Sequence, residues 1–252
     1  MTVHFVGAGP GAADLITLRA ASLLAAADVV LYPGTYLDAE VLAHCPHARQ
    51  VDTQALDLDQ ITSVMVTAAA QGCEVVRLTS GDPSLYSALA EQTARLDAAG
   101  VAWDVCPGVP AYAAAAAVVG RELTVPLVAQ SVVLTRTQAR STAMPTTESL
   151  AAFAATRATL VLHLAVTRTR ELAASLVEEY GADCPAVVVH RASQPDELVL
   201  RGTLADIADT VEEAGLRQAA VILVGRALAR DGGESWLYTV DRQRPARLPH
   251  RT

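Results

Sequence analysis

The chain has 252 residues, 52% of them hydrophobic and 4% aromatic, with a formal net charge of -8 at pH 7. This length and composition suffice to bury a large core in one or two domains, so they exclude a disordered, collagen-like or small disulfide-stabilised protein. All 19 basic residues are arginine and are spread along the chain, which excludes lysine-dependent catalysis and predicts neither a nucleic-acid nor a membrane partner.

The first half of the chain alternates short apolar runs with helical patterns. The hydrophobic pattern predicts strands at residues 3–6, 29–32, 75–78 and 101–105, and helices at 14–27, 61–70, 85–98 and 111–119. Buried strands joined by helices indicate an α/β domain with a mainly parallel, doubly wound sheet.

The rhythm changes at Pro126, where we place a domain boundary that divides the chain into 1–126 and 127–252. The second half is predicted to form strands at 131–135, 160–164, 186–191, 197–200 and 221–224, and helices at 168–179 and 204–213. Its strands are more closely spaced, which predicts a second α/β domain with a mixed sheet. We expect an active-site cleft between the two domains and an irregular tail from about residue 230.

Four cysteines lie far apart and form no C-x-x-C pair, so we expect no metal site and no disulfide framework. A reducing cytoplasm fits this usage. The amino terminus also lacks the charged-then-apolar order of a signal peptide.

Three turns that contain glycine follow predicted parallel strands, at residues 7–11, 79–84 and 107–110. Ligands bind at the carboxyl ends of such strands, so the turns together indicate one binding crevice. Tight packing alone is an alternative explanation of the first turn, and capping of helix 85–98 by Asp82, with Pro83 in its first turn, is an alternative explanation of the second. A nicotinamide dinucleotide site is disfavoured because Gly11 comes one position early and no acidic residue ends the second strand.

The ordered set of motifs resembles the tetrapyrrole methylases, which use S-adenosylmethionine, over nearly the whole chain. The resemblance is carried by VGAGPG at 6–11, RLTSGDP at 77–83, PGV at 107–109, RAS at 191–193, GTLADI at 202–207 and ILVG at 222–225. Further runs, GDPSLY at 81–86, RELTVP at 121–126 and QSVVLTR at 130–136, look like the branch that acts on carbon 11.

The resemblance implies methyl transfer from S-adenosylmethionine to carbon 11 of precorrin-4, giving precorrin-5 and S-adenosylhomocysteine in cobalamin biosynthesis. It also implies a cytoplasmic homodimer. Cobalt-precorrin-4 methylation and another tetrapyrrole methylase remain open as alternatives. From other classes, a nicotinamide-dependent oxidoreductase and a non-catalytic tetrapyrrole carrier also remain open.

Carried over position by position, the family's cofactor contacts fall on Pro10, Ser80, Gly81, Asp82, Leu85, Pro110, Ala111, Leu164, Ala192, Thr203 and Leu204. The substrate of this family bears many carboxylates and the chain is acidic, so local arginines must bind it. We expect Arg136 and Arg140 to do so, with Tyr86 and Tyr112 against the apolar ring. Activated methyl transfer requires no nucleophile, so no catalytic residue is assigned, and His163 and His190 are interpreted as core histidines.

Overall fold

A computed structural model describes residues 1–34, 37, 39–137, 143–229 and 235 of the chain. Within these ranges lie two five-stranded sheets. Arg140 and, except for Ser235, the tail expected from about residue 230 lie outside the described residues.

The first sheet is parallel throughout and runs in the order β3-β2-β4-β1-β5. Its strands are β1 (Thr2–Gly7), β2 (Val29–Tyr32), β3 (Arg49–Asp52), β4 (Val75–Thr79) and β5 (Ala102–Cys106). Its helices are α1 (Leu18–Ala26), α2 (Leu58–Ala70) and α3 (Leu89–Ala98). The sequence pattern missed β3 because this short edge strand is polar and largely exposed.

Both faces of the first sheet are buried. Val6 and Val30 point to the face covered by Leu24 of α1, whereas Phe5 and Leu31 point to the face covered by Met65 of α2. Alternate residues of a strand point to opposite faces, so burial on both sides produces the continuous apolar runs seen in the sequence. The predicted doubly wound parallel sheet is confirmed.

Two helices of the first half begin later than predicted. The Thr17 hydroxyl accepts a hydrogen bond from Ala20 N (3.1 Å) and so starts α1 at Leu18. Helix α3 starts at Leu89, because Tyr86 and Ala88 adopt left-handed φ angles of 53° and 55° that interrupt any earlier helical turn. Asp82 therefore does not cap α3, and that interpretation was wrong.

The second sheet is mixed and runs in the order β6-β7-β10-β8-β9. Its strands are β6 (Val132–Arg136), β7 (Thr159–His163), β8 (Pro185–His190), β9 (Leu198–Thr203) and β10 (Ala220–Val224). Only the β6–β7 pair is parallel, which confirms the predicted mixed sheet. The helices in this half are α5 (Leu150–Ala154), α6 (Thr169–Tyr180) and α7 (Ile207–Glu213), of which α5 has no counterpart among the predicted elements.

The alanine-rich helix α4 (Ala111–Val119) connects the two sheets in sequence but packs on the second. Ala115 and Val119 share a hydrophobic cluster with Val161 of β7 and Leu223 of β10. Small side chains allow this close approach of helix and sheet. The division of the chain at residue 126 stays a prediction.

Within the described part of the chain, no helix has the length and apolar character needed to cross a membrane. Cys45, Cys73, Cys106 and Cys184 are all free thiols. Among the same residues, no group of three or more His, Cys, Asp or Glu side chains is arranged to hold a metal ion.

Candidate active site

A cleft of about 560 Å³ lies between the two sheets. One wall comes from the loops that follow β1, β4 and β5, and the other from the ends of β7 and β8 and the start of β10. Because β10 is antiparallel to β7 and β8, its first residues lie beside their last ones. Nine of the residues predicted to bind a cofactor line this cleft: Pro10, Ser80, Gly81, Asp82, Leu85, Pro110, Ala111, Leu164 and Ala192.

Glycines let the three loops of the first sheet pack backbone against backbone. A Cβ atom on Gly7 would lie 2.5 Å from Gly108 N, and one on Gly108 would lie 2.3 Å from Gly81 O. Gly81 N donates to Gly9 O (2.8 Å) and Gly9 N donates to Gly81 O (3.1 Å). Any side chain at Gly7 or Gly108 would force these loops apart, so the glycines set the shape of this wall.

Asp82 ties two of these loops together. Its Oδ2 accepts a hydrogen bond from Gly108 N (2.7 Å), and its Oδ1 accepts from Ser84 N (2.9 Å) and from the Ser84 hydroxyl. Burial by itself would raise the pKa of Asp82, but the hydrogen bonds from Ser84 and Gly108 outweigh it and bring the pKa below its ordinary value of 3.8. The carboxylate is therefore ionised at neutral pH and acts as a fixed acceptor between the loops.

Several residues of the cleft wall adopt the left-handed backbone conformation, which side chains other than glycine rarely use. The φ angles are 53° at Tyr86, 54° at Leu164, 48° at Arg191 and 53° at Ala219. Such conformations persist where the surrounding fold enforces them, and they concentrate at binding sites. The Leu164 side chain, 62% exposed, presents an apolar surface to the cleft.

Two residues predicted to bind substrate meet at the edge of the cleft. Tyr86 lines it, and its ring packs on that of His163 with 5.5 Å between centroids. Arg136 ends β6 directly beside His163 in the parallel β6–β7 pair. Burial raises the pKa of Tyr86, while the positive charge of Arg136 opposes that rise and Glu148 adds to it. Arg136 thus acts on the Tyr86 hydroxyl, although its side chain is not part of the cleft wall.

Three of the predicted site residues lie elsewhere. Tyr112, on α4, is half-buried against the core of the second sheet. Thr203 ends β9 and pairs with Pro185 at the start of β8, the end of that strand remote from the cleft. Leu204 is buried beside it, and its N–H donates to Cys184 O (2.9 Å). Strand direction and core packing thus place Tyr112, Thr203 and Leu204 outside the lining of this cleft, and their binding roles stay a prediction.

Sequence reasoning missed several residues of the cleft. His163 and His190 both line it, which corrects their interpretation as core histidines. Burial lowers the pKa of His163 below its usual 6.5 and keeps the ring neutral, and its Nε2 has no hydrogen-bond partner among the described residues. The available signal was position: each histidine is the last residue of its strand. Gln194 and Arg217 also line the cleft, and no local motif marks them.

The comparisons with known proteins agree on one family. Residues 2–208 match the family described as Tetrapyrrole (Corrin/Porphyrin) Methylases. A precorrin-4 C(11)-methyltransferase of Rhodococcus erythropolis is 56% identical over 246 residues, which cover 97% of this chain and 99% of that protein.

Solved structures give the same result. A cobalt precorrin-4 methyltransferase described as a cobalamin biosynthetic enzyme matches with a TM-score of 0.87 at 37% identity, over 90% of this chain and 96% of the other. A uroporphyrin-III C-methyltransferase of Thermus thermophilus, in complex with S-adenosylhomocysteine, matches with a TM-score of 0.76 at 31% identity, over 90% and 93% of the two chains. Sequence and fold therefore agree along almost the whole length of the chain.

Proposed function

Because this chain belongs to the tetrapyrrole (corrin/porphyrin) methylase family, we propose that it transfers a methyl group from S-adenosylmethionine to carbon 11 of precorrin-4 in cobalamin biosynthesis. The products are precorrin-5 and S-adenosylhomocysteine. The similarity to a protein named for this reaction, at 56% identity over 97% of the chain, supports this reaction over other methylations of tetrapyrroles.

The convergence on one cleft of nine predicted residues from distant parts of the chain is the observation that carries the proposal. The volume of about 560 Å³ falls within the usual range for small-molecule sites. Its walls include apolar residues such as Leu85 and Leu164 and polar ones such as Ser80 and Asp82. This mixture suits a ligand that joins a flat heterocycle to polar sugar and amino-acid groups.

When bound, S-adenosylmethionine supplies a methyl group that its positive sulfur already activates. The protein therefore has to align the two reactants and exclude water, and such alignment lowers a barrier by roughly 7–11 kcal/mol. The backbone-packed loops of the first sheet give this cleft a rigid wall, and Asp82 prevents the second and third loops from separating. Activated methyl transfer of this kind needs no nucleophilic side chain, so none is assigned.

The pigment is proposed to bind at the edge where Tyr86, His163 and Arg136 meet. The rings of Tyr86 and His163, inclined to each other by 54°, offer aromatic contact to a macrocycle, and the Arg136 guanidinium offers two-point hydrogen bonding to a carboxylate. Arg140 follows closely in sequence and is proposed for the same role. The chain is further proposed to act in the cytoplasm as a homodimer.

Cobalt-precorrin-4 is the second candidate substrate, because the solved structure matching at TM-score 0.87 is named for it. The macrocycle itself would carry the cobalt, so the protein needs no metal ligands in either case. Membership of a methylase family favours both candidates over the nicotinamide-dependent oxidoreductase and the tetrapyrrole carrier.

Calorimetric titration with S-adenosylhomocysteine, run beside a matched titration with a nicotinamide dinucleotide, tests the cofactor. We expect micromolar binding of the first and no heat from the second; the reverse result would refute methyl transfer. Incubation with isotopically labelled S-adenosylmethionine and either precorrin-4 or cobalt-precorrin-4, followed by mass spectrometry of the pigment, then tests the substrate. Labelling of the cobalt compound alone would transfer the assignment to the second candidate.

A further inference from the structure

The loop at residues 191–197, which we call the strap, reaches from the second sheet to the first loop of the first sheet. Gln194 Nε2 donates a hydrogen bond to Pro10 O (3.2 Å). The Ser193 hydroxyl accepts one from Ala12 N (3.1 Å). These bonds join residues more than 180 positions apart, so they connect the two walls of the cleft directly.

The strap is rigid because its own residues brace one another. Arg191 Nε donates to Gln194 Oε1 (2.7 Å) and also forms an ion pair with Asp196 Oδ1 (2.8 Å). Ser193 N donates to Glu197 Oε2 (2.6 Å). Arg191 and Ser193 both have left-handed φ angles, 48° and 68°, which these contacts hold in place. The Gln194 side chain is thereby fixed in position before any ligand binds.

The first loop fits the strap closely. A Cβ atom on Gly11 would lie 2.2 Å from Gln194 Cγ and 2.6 Å from its Nε2. Real Cβ atoms do not approach other atoms so closely, so a larger residue at Gly11 would displace Gln194. The glycine thus admits this side chain, a use of Gly11 that differs from the tight packing of Gly7 against the neighbouring loops.

We propose that Gln194 and Ser193 are positioning residues that set the separation of Pro10 and Ala192 and thereby the affinity for the methyl donor. Pro10 and Ala192 belong to opposite walls of the cleft. The Pro10 carbonyl itself accepts the bond from Gln194, and Ala192 directly precedes Ser193, which accepts the second bond between the walls. A wall spacing fixed in advance removes the ordering cost from binding. This inference rests on the proposed function, because it concerns the same cleft.

Gln194→Glu is the sharpest test. A glutamate has nearly the shape of glutamine and keeps an oxygen for Arg191 Nε, but it has no hydrogen to donate to Pro10 O. The assay uses S-adenosylhomocysteine because its sulfur carries no charge. The negative charge that the glutamate adds therefore does not attract the ligand through its sulfur atom. Loss of this single hydrogen bond is expected to weaken binding about three- to tenfold.

Ser193→Ala removes the other tie without changing any charge and is expected to weaken binding to a similar extent. Gln130→Glu is the matched control, since it makes the same chemical change at an exposed residue that bonds only its neighbour Ala129 O (3.4 Å) among the described residues. Melting curves of all three variants show whether each is folded. If Gln194→Glu does not fold, Ser193→Ala carries the test.

Steady-state kinetics distinguish positioning from a general loosening of the fold. The Michaelis constant for S-adenosylmethionine is expected to rise in both strap variants, while that for the tetrapyrrole stays within twofold of the wild-type value. Equal increases of both constants, or unchanged S-adenosylhomocysteine affinity in both variants, would overturn the inference. A wild-type chain that binds no S-adenosylhomocysteine would instead refute the proposed function.

Discussion

Replacement of Asp82 by asparagine tests whether one carboxylate holds two cleft loops together. Asparagine keeps one oxygen for Ser84 but turns an amide nitrogen toward Gly108 N, so two donors then face each other across a gap that is now 2.7 Å. A hydrogen bond to a charged group is worth about 1.5–3 kcal/mol, and we take about 2 kcal/mol for this loss. In a chain of this size, that corresponds to a decrease in Tm of about 4–8 °C.

The loss of stability in Asp82→Asn must become smaller as the pH falls. Because the pKa of Asp82 is lower in the folded protein than its ordinary value of 3.8, the carboxylate contributes stability above that pH. The contribution is lost as the pH falls through the lower, folded-state pKa, where the wild-type side chain becomes a neutral acid. Thermal melts from pH 7 downward should therefore show a constant gap between wild type and variant that narrows below about pH 4.

Asp14→Asn provides the control, because Asp14 is exposed and makes no hydrogen bond with its side chain to the rest of the described structure. It should melt like the wild type at every pH. A difference between Asp82→Asn and wild type that stays constant down to pH 3 would show that the charge of Asp82 is not what stabilises the loops. An Asp82→Asn variant that melts within 1 °C of wild type at pH 7 would refute the hydrogen-bond argument altogether.

Two further changes test other parts of the structure. Arg136→Ala should raise the Michaelis constant for the tetrapyrrole about tenfold, the loss of one charged hydrogen bond, and leave S-adenosylhomocysteine affinity unchanged. Arg19→Ala, at an exposed residue of α1, serves as its control, and equal behaviour of the two variants would remove Arg136 from the substrate site. Gln92→Ala should cost about 3 kcal/mol in urea unfolding, because it leaves buried Arg77 Nε without the oxygen it now contacts at 3.1 Å. A cost below about 1 kcal/mol would mean that water satisfies the Arg77 guanidinium in the variant.

Most of the fold could be predicted because its signal is local. Strands such as β2 are buried on both faces and read as unbroken apolar runs, whatever their neighbours are. The errors came where local preference lost to tertiary contacts. β3 is polar because only one edge of it is paired, and the segment before α3 leaves the helical conformation so that Asp82 can bond to Gly108, 26 residues away. The periodicity of the sequence reports only on neighbouring residues, so it could not predict a hydrogen bond between residues so far apart in the chain.

The residues of the candidate site likewise fall into those that the sequence could locate and those that it could not. Residues on the loops after β1, β4 and β5 could be located because parallel strands end at one edge, so sequence order alone brings Pro10, Gly81 and Ala111 together. In the second sheet both strand directions occur, so nearness in sequence to a motif no longer indicates nearness to the cleft. Thr203 follows the strap by only a few residues, yet β9 carries it to the far end of the sheet.

The strap at residues 191–197 is a second place where the sequence alone could not separate the roles of neighbouring residues. Ala192 lines the cleft but has no polar side chain, so its role as a cofactor contact could be predicted only through resemblance, whereas the neighbouring Ser193 and Gln194 make the contacts that join the walls. A sequence motif does not show which of its residues contact a ligand and which hold the fold around it. The hydrogen bonds across the cleft identify the residues that join its two walls. Ala192 and Gln194 both line the cleft, and the side chains of Ser193 and Gln194 also bond to the opposite wall, which is why we propose that these two polar residues determine how wide the cleft is.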